Sequence, residues 1–319
     1  HKDVECPECG FWYQAGASIE IEDEASDQRL LEMKRTPIRS TVVGATCPLC
    51  RYQQLLDLEG DANKATFSGD RILVSKFIYD FTSPKRWDVI VFKYPFNAKQ
   101  NFIKRLIGLP GESVWIQRGD IYIKAAGKEA FEIARKPDHK LRAMLQLIDD
   151  SKYVSESLTK VGWPLRWQPW TPDGTTSASS WSTEDGGHTY SLEGTEGNDV
   201  WLRYHHVIPT DADWREISQA AADNSRLQAP EEISGALITD FYAYNAFISI
   251  DQKDTRYFDP EGGLDDLPPA MLGSPSLSPL GTMGLHWVGD LAFEGNVEIQ
   301  NDQGDLLLQL TKGGVAYAC

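Results

Sequence analysis

Long apolar runs are missing from this 319-residue chain, and so is a positive charge balance. No stretch approaches the ~18 to 20 consecutive apolar residues that a membrane-spanning helix needs, so none of these residues is expected to cross a bilayer. Against 47 Asp and Glu stand only 31 Lys and Arg, and the formal charge of −16 repels nucleic acid phosphates and anionic lipid headgroups. A basic cluster around residues 84–105 tempers this locally. The first residue is His1, with neither an initiator Met nor a signal-peptide pattern, and the chain reads as an interior piece of a longer protein. Cysteine is scarce at five residues, yet four of the five fall in two pairs, which says more than the count. What remains, 41% hydrophobic and 24% charged, is ordinary for a globular protein and long enough for two or three domains.

The first cysteine pair is Cys6 and Cys9 in VECPECGFWY, and the second is Cys47 and Cys50 in GATCPLCRY. Each is a CPxC knuckle followed by Gly or Arg and an aromatic residue. Two such knuckles present four thiolates to one tetrahedral Zn²⁺, and the metal replaces the core that a short segment cannot build. With four protein ligands no coordination position stays open, so the zinc is expected to be structural, and no cofactor is expected for catalysis. The intervening residues 10–46 exceed the usual spacing and include the acidic run EIEDEASDQ at 20–28, read as a solvated insertion. A pair of disulfides or a redox CxxC is the competing reading, although repetition of the knuckle favours metal.

From residue 68 the pattern changes to short strands: RILVSKF at 71–77, WDVIVF at 87–92, NFIKRLI at 101–107, and VWIQRGDIYI at 114–123 with a turn at Gly119. Pro110 followed by Gly111 suits the centre of a type II turn. Residues 129–149 carry helical spacing, with Leu141, Met144, Leu145 and Ile148 on one face and Pro137 opening the second half. WPLRWQPW at 163–170 and the Gly/Ser/Thr-rich stretch after it read as a boundary, their aromatic residues as packing. Beyond residue 189, short alternating segments separated by Gly, Asn and Asp suggest a β-sandwich or jelly roll. The acidic loops near 251–266 lack a calcium-loop spacing and read as solvated turns. His205 and His206 would point to opposite faces of a strand and so make poor joint ligands. The fold class is mainly β.

One strand residue stands out for chemistry. In NFIKRLI, Phe102, Lys104 and Leu106 share a face, and a lysine flanked by apolar neighbours can be desolvated, which lowers its pKa toward neutrality and lets it accept a proton. Taken by itself, a lysine on a half-buried strand is far more often structural or solvated.

The surrounding string changes that reading. GDRILVSKFIYDF at 69–81, RWDVIVFKYP at 86–95 and IKRLIGLPGE at 103–112 occur in order and at separations that resemble bacterial type I signal peptidases, the S26 family of Ser/Lys-dyad proteases. The resemblance covers about 69–123. Lys104 matches the family's catalytic lysine, the one before Arg-x-x-Gly-Leu-Pro-Gly, and Asn101, Phe102 and Ile103 match the edge that binds the extended substrate. The family's serine segment, Ser-x-Met-x-Pro, normally precedes GDRILV. It is found nowhere in this sequence, and Ser68 is too close to Gly69 to replace it. The serine is therefore expected before His1, together with a membrane anchor, as in planctomycete forms with CPxC pairs between the two motifs. The last family motif is expected beyond Cys319.

The resemblance implies a serine endopeptidase that removes signal peptides from exported preproteins, with Lys104 as general base and the catalytic region on the extracytoplasmic side of the bacterial inner membrane. The 319 residues alone are expected to be inactive. The expected organisation is a zinc-ribbon insertion at 1–58, a signal-peptidase-like antiparallel β core at 59–128, one short helical segment and linker at 129–170, and a β-sandwich-like insertion at 171–319. No nucleic acid partner is expected. The alternative is a non-catalytic peptide- or glycan-binding protein on a peptidase-like scaffold.

Overall fold

The computed structural model describes residues 1–20, 40–58, 60, 66–67, 72–117, 119–171, 181–193, 199–227, 233–251, 284, 286–300, 304–312 and 314–319. Ser68, the GDR at 69–71, nearly all of the acidic run at 20–28 and the acidic loops near 251–266 lie outside the described residues. The chain forms two compact units, each assembled from two separate lengths: His1–Gly69 with Leu147–Trp287, and Asp70–Gln146 with Val288–Cys319. Every ladder among the described strands is antiparallel, in keeping with the mainly β expectation.

In the first unit, β1 (Lys2–Glu5) and β2 (Trp12–Ala15) form one hairpin, and β3 (Ser40–Thr46) and β4 (Gln53–Leu55) form another. Each hairpin turns through one CPxC knuckle. A later strand, Phe247–Asp251, pairs with the opposite edge of β3 and leaves β3 central in a three-stranded sheet. Its VVGAT run is accordingly buried on both faces, where period-two alternation gives way to continuous apolar and small residues. Gly44 sits at the tightest point: a Cβ there would come within 2.8 Å of Ile248 Cδ1 and 2.9 Å of the Gln54 carbonyl.

Two helices from the second length of chain complete this core. One spans Glu156–Val161; Ser155 caps it by accepting from the Leu158 N–H, and its hydroxyl donates to Glu8 Oε2 at 2.8 Å beside the first knuckle. The other, Asp211–Ala222, was not expected from sequence. It opens with a capping box of Thr210 and Asp213 and buries Trp214 and Ile217. The Trp214 indole donates to the Cys50 carbonyl at 2.9 Å and its ring meets Tyr52 edge-on. Within WPLRWQPW, Trp163 is buried, and Trp167 and Trp170 lie on a strand, Trp167–Trp170, that pairs with Trp201–Tyr204. Beyond residue 171 the described strands form this ladder, a short hairpin of Trp181–Ser182 with Ser191–Leu192, and the edge strand on β3, and the chain later adds a hairpin of Gln309–Lys312 with Val315–Ala318.

In the second unit, β5 (Val89–Tyr94) pairs with β6 (Asn97–Arg105), and β7 (Ser113–Gln117) with β8 (Asp120–Lys124), which also pairs with Glu132–Ile133. These strands fall where the alternating runs place them. Residues 72–77, expected as a strand, pair with no other strand among the described residues, and a short helix, Ile78–Phe81, follows. In the 129–149 region only Asp138–Arg142, begun by Pro137, is helical. The apolar residues meant for its buried face stay exposed, Leu141 and Leu145 among them, so the stripe lacks the packing that would extend the helix.

Candidate active strand and metal centre

The two knuckles are built alike. At the first, the Gly10 N–H donates to the Cys6 carbonyl (2.8 Å) and the Cys6 N–H to the Phe11 carbonyl (3.0 Å). At the second, Arg51 donates to Cys47 (3.1 Å) and Cys47 to Tyr52 (2.9 Å). This hairpin geometry turns both thiols of a knuckle inward. All four cysteines are buried and unbridged, with Cys6 and Cys50 sulfurs 3.5 Å apart, those of Cys9 and Cys47 3.7 Å apart, and all four ligand atoms within 4.8 Å of one another. A tetrahedron with zinc–sulfur arms of about 2.3 Å has edges of about 3.8 Å, so the spacing fits a four-thiolate metal site. A disulfide would need sulfurs about 2 Å apart, which excludes the bridged alternative for this arrangement. Hydrogen bonds from Cys47 and Cys50 hold the Cys6 and Cys9 thiols low, whereas burial pushes Cys47 up and its hydrogen bond with Cys47 pushes Cys50 up.

Arg51 and Arg166 line the far side of the second knuckle. Arg166 is well held: Nη1 donates to Asp149 Oδ1 at 2.6 Å and Nη2 to the Leu49 carbonyl at 2.5 Å. Arg51, buried over the Phe241 ring, is drawn down to about 10 by burial and by Arg166. His206, buried and bonded through Nδ1 to the Tyr204 hydroxyl at 2.9 Å, is lowered to about 3 by burial; neither it nor His205 belongs to the cysteine cluster. The knuckle repeat disclosed the four clustered cysteines in the sequence, but nothing local marked Arg51, Arg166 or Trp214.

Lys104 lies on β6 opposite Ile90 of β5, and Phe102 lies opposite Phe92. Direct partners share a face, so Ile90, Phe92, Phe102 and Lys104 stand together, with Lys104 Nζ 5.7 Å from the centre of the Phe102 ring. Tyr94 packs on Phe102 from the same hairpin, with ring centroids 4.7 Å apart. The expected apolar flank is there, but the expected desolvation is not: Lys104 is exposed, as are Asn101 and Ile103, the latter at 50%.

The GLPGE turn is held by a charge system that joins both ends of the segment. Gly111 has φ 78°, and Glu112 N–H donates to the Leu109 carbonyl at 3.3 Å, which fits the expected Pro110–Gly111 turn. Glu112 Oε2 accepts from the Leu109 N–H, and Oε1 meets Arg86 Nη2 at 2.6 Å. Arg86 Nη1 donates to the Ile107 carbonyl, also at 2.6 Å. Next to it, Trp87 adopts φ 71° with every main-chain and indole group engaged: its N–H with the Leu106 carbonyl, its carbonyl with Arg105 Nη1, and its indole with the Arg135 carbonyl. The RW of RWDVIVF and the E of GLPGE therefore clamp the strand that carries Lys104 at its C-terminal end.

Residues 47–161 match the family model described as signal peptidase, peptidase S26. The signal peptidase I of Leptolyngbya laminosa is 42% identical over 78 residues, which cover 22% of this chain and 38% of that protein. Signal peptidase I of Aquifex aeolicus is 52% identical over 46 residues, covering 14% and 18% respectively. For signal peptidase I of Bacillus caldolyticus the figures are 35% over 81 residues, covering 25% and 42%. The chain thus spans less than half the length of these relatives. No solved structure matches it. The motifs around Lys104, the family model and the relatives agree: the stretch that carries Lys104 is similar to bacterial type I signal peptidases of the S26 family.

Proposed function

We propose that this chain is part of a signal peptidase I-type serine endopeptidase that removes signal peptides from exported preproteins. The observation that carries the reading is the IKRLIGLPGE string at 103–112, folded as strand and clamped turn with Lys104 on the approach to it. A serine supplied from outside these 319 residues attacks the carbonyl after the last signal-peptide residue. The neutral Lys104 amine takes the serine proton and later passes it to the leaving amine; water then releases the acyl group. Because Lys104 is exposed here, its desolvation falls to the serine segment and the bound peptide, which cover the Ile90, Phe92 and Phe102 face. Asn101, Phe102 and Ile103 pair with the extended peptide along β6.

The four cysteines hold a structural Zn²⁺ in this reading, as in planctomycete forms, and the domain limits at 1–58, 59–128, 129–170 and 171–319 stand as its expected organisation. An anchor outside the chain attaches it to the bacterial inner membrane with the catalytic region extracytoplasmic; among the described residues no helix is long and apolar enough to cross a membrane. In the whole protein, Lys104→Ala is expected to lower preprotein cleavage about 10³-fold, the scale of a lost general base, and Lys104→Arg not to restore it, since guanidinium does not give up its proton. Cleavage at the wild-type rate by Lys104→Ala would sink the assignment.

A second reading, a non-catalytic peptide- or glycan-binding protein, draws on the exposure of Lys104 and on a cavity of about 360 Å³ in the first unit, lined by Trp167, Pro169, Trp181 and Tyr190 among others. Codons upstream of His1 separate the two readings: an apolar anchor followed by Ser-x-Met-x-Pro supports the peptidase.

A further inference from the structure

We infer that Arg51 is the charge partner of the four-cysteine centre and sets how tightly that centre holds its cation; the inference rests on the zinc reading above. The two knuckles repeat each other in hydrogen bonding, so their corresponding residues can be compared directly. Gly10 follows Cys9 with φ 71°, and Arg51 follows Cys50 with φ 63°. Both occupy the left-handed region, which glycine accepts without steric cost and a side chain does not. Glycine would satisfy the backbone at either position, so something other than backbone geometry must favour arginine at the second.

The side chain is committed to the interior. Arg51 is 3% exposed, its Cζ lies 3.5 Å above the Phe241 ring, and its Nε and Nη1 are buried with no hydrogen-bond partner among the described residues. A buried cation needs compensating charge. The charged and titratable groups around it include Arg166, Cys47, Cys50, Tyr204 and His206. Arg166 repels it and is itself satisfied by Asp149 and the Leu49 carbonyl. Tyr204 is held neutral, its hydroxyl pushed up to about 12 by burial. His206 is held neutral by burial. Cys47, whose carbonyl accepts from the Arg51 N–H at 3.1 Å, and Cys50, its neighbour in the knuckle, attract Arg51 when ionised. Four thiolates around one divalent cation carry a net charge of −4 + 2 = −2, buried in the same core, and Arg51 offsets half of it. The cation above Phe241 and the anionic centre share one buried core and thus offset each other's desolvation. Arg51 acts through the sulfur ligands and touches no metal.

The test is zinc affinity of the whole 319-residue chain, measured at neutral pH by competition with a chromophoric chelator. Wild type should bind one zinc. Arg51→Met keeps the length of the side chain, its packing on Phe241 and the same backbone demand while removing the charge; it should bind zinc about 10- to 100-fold more weakly, the usual effect of losing a group that supports metal ligands. Arg51→Lys should stay close to wild type. Arg51→Gly, which takes the backbone form of Gly10 and relieves the φ, should also bind weakly, and it carries the same prediction should Arg51→Met fail to fold. Wild-type affinity in the folded Met or Gly variant would overturn the inference and leave the zinc site standing. A wild-type chain that binds no zinc would overturn the zinc site and, with it, this role.

Discussion

Glu112 shows how much a single residue of the signal-peptidase-like segment does that its motif does not announce. Arg86 first, then the Leu109 N–H, hold its carboxyl below the ordinary range. A carboxylate lowered in the folded state contributes stability above the pKa of the unfolded chain, and that contribution disappears as pH falls through the folded value. Replacing Glu112 with Gln should therefore lower the melting temperature at neutral pH, and the gap from wild type should narrow on acidification and close once Glu112 is protonated. A gap that stayed constant between neutral and acid pH would mean that the ion pair with Arg86 contributes nothing. The type II turn was legible because Pro110 fixes φ at its first central position and Gly111 admits the positive φ at its second. The Arg86–Glu112 pair was not, since two charges 26 positions apart carry no local sign of each other. Lys104 was legible as to strand and face, but its exposure was not, because burial depends on what covers a face rather than on the strand itself.

Elements were readable in proportion to how far local pattern decides them. The β5, β6, β7 and β8 runs alternate and are bounded by Pro and Gly, and they form hairpins where expected. The helix at Asp211–Ala222 was missed although Thr210 and Asp213 spell its capping box, because the surrounding β-like segments drew the whole region into one class. At β3 the strand reads clearly, but its central place does not: its second partner, Phe247–Asp251, lies some two hundred residues later. That centrality makes a strong prediction at Gly44. A methyl group there meets the Gln54 carbonyl at 2.9 Å, a backbone atom of β4 that can move only with its strand. Gly44→Ala should destabilise the first unit by about 1 to 3 kcal/mol, the range of overpacking, seen as a lower urea midpoint. An unchanged midpoint would show that β4 is loosely held.

At the scale of the whole chain, the division into two units, each of two lengths, was the least legible feature. Composition shifts mark consecutive stretches, whereas the contacts that define the first unit join residues far apart, as Trp214 does with the Cys50 carbonyl and Ser155 with Glu8. The cysteine centre consequently sits within a core that includes Val4, Val42, Leu56, Trp163, Trp214 and Ile217, far more than a lone ribbon provides. Metal binding at such a site is coupled to folding, on the order of 10 kcal/mol for structural zinc, and the coupling should follow the unit rather than the sequence. A strong chelator should speed hydrogen exchange in β1 to β4 and also, more than a hundred residues away, in the helices Glu156–Val161 and Asp211–Ala222. The ladder of β5 and β6 around Lys104 belongs to the other unit and should keep its protection. Acceleration confined to residues 1–58 would instead mark a ribbon that folds independently of the later helices, and acceleration spread evenly through β5 to β8 would mean that the two units unfold as one.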